Sequence, residues 1–129
     1  MKVAEVKKKL DNGEQWGFVK ETDSEEYLGW ILINKMLPMR LAPQKESYEN
    51  EESYSLVMKR YNQSLNQPYH ILIYELKRDV HQRGDYETGD DVRLNENHYF
   101  ASIEELEKFI NELGYNFENI KHRLEIDAP

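Results

Sequence analysis

The sequence contains no cysteine, so no disulfide holds the fold together and no thiol serves as a nucleophile or metal ligand. This absence fits a reducing compartment, and a chain of 129 residues is long enough to build a core without cross-links. Long apolar runs are also missing, since the longest covers residues 28–33, whereas a bilayer span needs about 20 residues. The segment after Met1 lacks the apolar stretch of a secretory signal. We therefore expect a cytoplasmic protein without a membrane segment.

Basic residues are scarce relative to acidic ones. Lys and Arg together number 17, Asp and Glu number 25, and the net charge is −8. Contacts to phosphates recruit Lys and Arg, so we expect no direct nucleic-acid binding. An acidic surface instead attracts a basic protein partner and accelerates the encounter. Solubility alone is the alternative explanation of the acidity.

The sequence also lacks the patterns that carry catalysis or hold a cofactor. The six glycines are scattered and form no phosphate-binding loop, and no serine lies in a nucleophile-elbow context. No two histidines are four residues apart, and residues 85–91 lack the ligand spacing of a calcium loop. His81 has Asp79 and Asp85 nearby, which weakly suggests acid-base chemistry or a metal ligand, but a solvated loop histidine is the better interpretation. We expect no enzyme, no cofactor and no metal.

Aromatic and β-branched residues predict most of the strands. Residues 27–34 and 69–78 are apolar on both faces, which is typical of central strands. Residues 36–43 contain Pro38 and Pro43, which restrict them to an edge strand or an irregular crossing. Residues 62–68 are predicted as a hairpin loop, and residues 79–97 as a long loop with a short strand at 92–94. The remaining predicted strands are residues 16–22, 54–61 and 98–100.

Apolar spacing predicts three helices. Val3, Val6 and Leu10 indicate a short helix over residues 2–11. Ser102 begins a capping box and Gly114 follows an apolar stripe, so residues 103–113 form a helix. A similar spacing predicts another over residues 117–124. Strands followed by helices indicate a single α+β domain over residues 1–129, with a mainly antiparallel sheet of about five strands, a short N-terminal helix and two C-terminal helices.

Two acidic segments, residues 46–52 and 85–91, are predicted as exposed loops that recognise a partner. Tyrosines lie in or beside both, and aromatic rings among carboxylates bind Arg and Lys by cation–π contacts and ion pairs. Tyrosines within strands are instead expected to be ordinary sheet residues: Tyr61, Tyr69, Tyr74 and Tyr99. The predicted partner-binding residues are Tyr48, Glu49, Glu51, Glu52, Asp85, Tyr86, Glu87, Asp90 and Asp91.

These features favour a small binding protein that inhibits or neutralises a basic partner such as a nuclease toxin. In size and acidity the chain is similar to bacterial immunity proteins that block such toxins, although no motif links it to them. The alternatives are a phage or mobile-element inhibitor that mimics nucleic acid, and a regulatory subunit of a larger assembly. An enzyme whose site cannot be recognised from sequence is a third alternative.

Overall fold

The computed structural model describes residues 1–37, 41–84 and 88–129. In these residues five antiparallel strands form one sheet in the order β4-β3-β2-β1-β5. The predicted α+β class with an antiparallel sheet of five strands is therefore confirmed. The strands are β1 (Trp16–Lys20), β2 (Tyr27–Lys35), β3 (Tyr69–Lys77), β4 (Val92–Phe100) and β5 (Lys121–His122). The helices are α1 (Val3–Asp11), α2 (Glu51–Asn66), α3 (Arg78–Arg83) and α4 (Ile103–Glu112).

The two strands predicted to be central, β2 and β3, are neighbours in the middle of the sheet, with Ile31 opposite Ile73. Both bury apolar side chains on both faces because elements cover each side. Helices α1 and α4 pack on the first face, where Leu10, Leu106 and Ile110 are fully buried. This cluster is the larger of two hydrophobic cores in the described residues.

A smaller core lies on the second face of the sheet. Trp30 and Leu76 pack there against Val80 of α3 and Ile126 near the end of the chain. The indole Nε1–H of Trp30 donates a buried hydrogen bond of 2.9 Å to the main-chain oxygen of Ile126. The C-terminal residues are thus part of the packed structure.

The boundaries of α4 follow the predicted signals. Ser102 Oγ accepts a hydrogen bond from the main-chain N–H of Glu105, which caps the helix N-terminus. The carboxylate of Glu105 accepts from the N–H of Ala101 rather than from Ser102. Gly114 has φ of +92°, the left-handed conformation that ends many helices. The helices predicted at 2–11 and 103–113 are confirmed within two residues.

The strand predicted at residues 54–61 is wrong, because these residues lie inside α2. Asn50 Oδ1 caps this helix by accepting from the N–H of Ser53, and two glutamates occupy its first turn. Both features stabilise a helix N-terminus. Residues 62–66, predicted as part of a hairpin loop, continue the helix, and the predicted loop 46–52 ends in its first turn.

The predicted helix near residues 117–124 is also wrong. A 3₁₀ turn at Phe117–Asn119 and another at Arg123–Ile126 flank the short strand β5. The side chains of Asn116 and His122 accept main-chain N–H bonds that start each turn, and β5 pairs with β1. Main-chain pairing at the sheet edge therefore replaces the helix.

The predicted long loop over residues 79–97 contains regular structure. Its first part belongs to α3, a 3₁₀ turn forms at Gly89–Asp91, and β4 then runs without a break through both short strands predicted at 92–94 and 98–100. In the segment 36–43, predicted as an edge strand or an irregular crossing, residues 38–40 lie outside the described residues. Residues 36, 37 and 41–43 belong to no strand.

Candidate functional site

The clearest candidate surface lies in the connection between the two central strands. It comprises Tyr48, Glu49, Glu51, Glu52 and Tyr54, and we call it the acidic aromatic surface. The capped N-terminus of α2 positions its carboxylates, because Glu51 and Glu52 occupy the first helical turn. Both glutamates and Glu49 are exposed. These three glutamates are exposed, as the sequence predicted, although Glu51 and Glu52 lie in a helix rather than in a loop.

Two tyrosine rings form the centre of this surface. The ring centroids of Tyr48 and Tyr54 are 6.1 Å apart, and the ring planes are inclined by 55°. Such tilted aromatic pairs are favourable beyond the area that they bury. Both side chains are half-buried, so each keeps part of its ring accessible. The pair is therefore a partly exposed aromatic patch in the same segment as the three exposed glutamates.

One ammonium group lies against these carboxylates. Lys45 Nζ is 3.3 Å from Glu51 Oε1, and both side chains are largely exposed, at 63% and 85%. An ion pair this exposed contributes little and is readily exchanged for another cation. Glu46, next to Lys45, is also exposed, so the carboxylates outnumber the local ammonium group. Residues 45–52 therefore carry a net negative charge.

The second predicted segment is described only in part. Asp85, Tyr86 and Glu87 lie outside the described residues. Asp90 is exposed, whereas Asp91 caps the 3₁₀ turn: its Oδ2 accepts from the N–H and the hydroxyl of Thr88, at 2.9 and 3.0 Å. Both hydrogen bonds lower the pKa of Asp91, and the bond from the main-chain N–H has the larger effect. Asp91 thus has a structural role in this turn.

His81 does not sit as a solvated loop residue. Its ring meets the ring of Trp30 edge-on, with centroids 4.9 Å apart, and its Nε2 is 3.2 Å from Asp127 Oδ2. Only 14% of its side chain is exposed. The sequence neighbour considered above, Asp79, is exposed on α3. His81 therefore joins α3 to the C-terminal residues.

A charged cluster that sequence reasoning missed lies at one end of the first face. The carboxylate of Glu75 is buried between the side chains of Lys20 and Arg93, which bond to different oxygens of it. Arg93 also contacts Asp23 at 2.8 Å and lies over the ring of Tyr27, 4.4 Å from its centroid. The signal in the sequence was one glutamate inside the otherwise apolar run of residues 71–76.

The charges of this cluster neutralise one another. Burial raises the pKa of Glu75, but hydrogen bonds from Lys20 and Arg93 and their charges outweigh it, so the pKa lies below its ordinary value. A carboxylate kept ionised in this way is a poor general base at neutral pH. A shallow depression of about 480 Å³ opens above Glu75. We assign the cluster a structural role.

A polar row on the second face also escaped prediction. Strand register places Asn34, His70 and Tyr99 side by side on β2, β3 and β4. The ring nitrogens of His70 are each 2.7 Å from an amide oxygen, one of Asn34 and one of Asn97, and Tyr99 stacks on the ring. Both ring nitrogens of His70 thus contact amide groups of the neighbouring strands. The strand tyrosines Tyr69 and Tyr74 are buried, as ordinary sheet residues are, whereas Tyr61 lies on α2.

In residues 1–37, 41–84 and 88–129, no three His, Asp or Glu side chains are grouped so that they could hold a metal ion. No helix there combines the length and the apolar character that a bilayer span requires.

Comparison of the chain with protein-family models, curated proteins and solved structures finds no match. The function is therefore inferred from the residues and their geometry.

Proposed function

We propose that this chain is a cytoplasmic, non-catalytic binding protein that neutralises or regulates a basic protein partner through the acidic aromatic surface. An inhibitor of the immunity type, directed at a nuclease toxin, is the form that suits its charge best. The observation that carries the proposal is the tilted Tyr48–Tyr54 pair set among exposed carboxylates. The net charge of −8 supports it over the whole chain.

The chemistry of the surface suits Arg and Lys side chains. Carboxylates pair with guanidinium and ammonium groups, and an aromatic face attracts the same cations once water is displaced. Nucleases must present a positive groove to phosphates, so an inhibitor that offers carboxylates and rings can fill that groove. Exposed glutamates would set the association rate, and half-buried tyrosines would slow dissociation.

The mixture of rings and carboxylates also bears on the alternatives. A mimic of nucleic acid needs carboxylates spaced like phosphates along one face, and aromatic rings do not serve that purpose. The Tyr48–Tyr54 pair therefore favours a protein–protein interface over mimicry. No observation in the described residues favours a regulatory subunit over an inhibitor, so we advance the inhibitor.

A comparative capture experiment in a lysate of the native host tests this proposal. The wild-type chain should retain a basic protein from the lysate. The amount of this protein that is recovered should be much lower when the surface variant replaces the wild type. The surface variant carries Glu49→Gln, Glu51→Gln and Glu52→Gln. These residues are exposed, so the fold should survive.

The matched control removes the same charge elsewhere. It carries Glu104→Gln, Glu107→Gln and Glu112→Gln on α4. Its recovery of the basic protein should equal that of the wild type, because the surface and not the total charge selects the partner. Equal losses in both variants, or capture of acidic proteins only, would contradict the proposal.

A further inference from the structure

One edge of the sheet is long and open. β4 spans Val92–Phe100 and pairs only with β3, and the middle residues Asn95, Glu96 and Asn97 are exposed. Within the described ranges no other strand is paired to its outer side. An edge of this length presents a row of free main-chain donors and acceptors, which is a template for another strand. The opposite edge is closed in part by β5.

We propose that β4 pairs with β4 of a second copy of this chain, antiparallel and with Asn97 opposite Asn97 of the second copy. The two sheets then form one continuous sheet across a twofold axis. This contact uses no residue of the acidic aromatic surface and is independent of the function proposed above.

The register follows from which side chains share a face. The pairing with β3 places Leu94, Glu96, His98 and Phe100 on the first face of the sheet. A twofold axis perpendicular to the sheet keeps each face continuous, so residues that lie opposite each other must share a face. One allowed register is therefore converted into the next by shifting the partner strand by two residues, which moves the centre of the pairing by one residue.

The register centred on Asn97 is complementary at each first-face position. It places Glu96 opposite His98 of the second copy and Leu94 opposite Phe100 of the second copy, each twice by symmetry. A carboxylate can accept a hydrogen bond from an imidazole ring across strands, and apolar pairs across strands are stabilising. On the second face, Asn95 meets Tyr99 of the second copy.

The neighbouring registers lose this complementarity. A register centred on Glu96 places two like carboxylates directly opposite each other, which is destabilising. A register centred on His98 places Glu96 opposite Phe100 of the second copy and the two histidines opposite each other. Because the net charge of −8 on each copy opposes association, these specific pairs have to select the contact.

The absence of cysteine allows a direct test of the register. In the proposed dimer the two Asn97 Cα atoms are about 5 Å apart, which lies within the range for a disulfide. The Asn97→Cys variant should therefore form a covalent dimer rapidly under mild oxidation. Asn95→Cys is the matched control: it lies on the same exposed face, but the two copies of residue 95 are about 14 Å apart, so it should stay largely monomeric.

A mixing experiment tests the charge pairs. His98→Glu alone creates two like-charge pairs and should raise the dimer dissociation constant about tenfold, measured by sedimentation equilibrium. When the His98→Glu variant is mixed with a Glu96→Lys variant, the two should form a heterodimer. One contact then joins the new glutamate to the new lysine, and the other joins Glu96 to His98. Because His98 packs on the ring of Phe109, 4.7 Å away, thermal melts should accompany both variants. Asn119→Glu, near β5, is the control for added charge.

A wild-type chain that stays monomeric at the highest soluble concentration would overturn the proposal. Equal cross-linking of Asn95→Cys and Asn97→Cys would overturn the register, as would a mixture of the two charge variants that does not associate.

Discussion

Replacement of Glu75 by glutamine removes the carboxylate charge that Lys20 and Arg93 share at the end of the sheet. The carboxylate is 5% exposed, whereas the side chains of Lys20 and Arg93 are 25% and 33% exposed. Breaking a fully buried ion pair costs about 3–5 kcal/mol, but the two cations here regain some hydration. We therefore expect Glu75→Gln to lower the free energy of unfolding by about 1–3 kcal/mol near neutral pH.

The same cluster makes a prediction about pH. Because the folded state holds the pKa of Glu75 below its ordinary value, ionised Glu75 stabilises the fold above the pKa of the unfolded chain. This stabilisation is lost as the pH falls below about 4 and through the folded pKa. The difference in stability between wild type and Glu75→Gln should shrink over that range.

Urea denaturation, followed by circular dichroism at several pH values, measures this difference. Glu49→Gln is the control, since Glu49 is exposed and should leave stability nearly unchanged. A Glu75→Gln variant as stable as the wild type near neutral pH would refute the assigned role. A loss of stability that is independent of pH would refute its electrostatic cause.

Three further substitutions test other parts of the account. Leu106→Ala should lower the free energy of unfolding by about 2–5 kcal/mol, measured by urea denaturation, because Leu106 is fully buried. Leu124→Ala, at a residue that is 83% exposed, should lower it little, and equal losses would contradict the assigned core. Gly17→Ala should destabilise the fold strongly, because a Cβ there would overlap the main-chain oxygen of Ile31, whereas a Cβ at Gly89 meets no atom within 4 Å. Equal melting temperatures for Gly17→Ala and Gly89→Ala would contradict the close approach of β1 and β2. Tyr48→Ala should raise the dissociation rate of the captured basic protein in surface plasmon resonance, and Tyr48→Phe should not, since it keeps the ring; an unchanged rate for Tyr48→Ala would remove the ring pair from the interface.

The central strands and α4 could be predicted because their local signals agree with their tertiary environment. Apolar residues on both faces of β2 and β3 require cover on both sides, and the sheet provides it. In α4, Ser102 at the N-cap, a buried stripe and Gly114 all indicate the same boundaries. Such consistency across levels makes an element predictable.

Residues 54–61 show where strand propensity misleads. Tyr54, Val57 and Tyr61 favour strands intrinsically, but their spacing of three and four residues also places them on one side of a helix. Asn50 as N-cap, followed by two glutamates, was the available signal for α2. The interpretation of residues 46–52 as an acidic loop overlooked this helix signal.

The helix prediction for residues 117–124 was wrong for a different reason. The spacing of Phe117, Ile120 and Leu124 is helical, but Leu124 is 83% exposed and Ile126 is buried in its place. Pairing of β5 with β1, and the caps by Asn116 and His122, are interactions that periodicity does not reveal.

The candidate site was predicted in part, since Tyr48, Glu49, Glu51 and Glu52 were named from sequence and lie together. The contacts of Glu75 and of His70 required strand register, because their partners are distant in sequence. Register is set jointly by the hydrophobic patterns of two paired strands and by the geometry of their connection, so the pattern of one strand alone does not give it.

Stopped-flow association of the captured basic protein, at low and at high salt, tests the central claim most directly. For the variant with glutamine at positions 49, 51 and 52, the association rate at low salt should fall about tenfold, and its salt dependence should flatten, because exposed carboxylates act on the encounter. The α4 control variant should keep the rate and most of the salt dependence of the wild type. Identical association rates and salt dependences for the wild type and the surface variant would contradict the claim and leave solubility as the reason for the acidity.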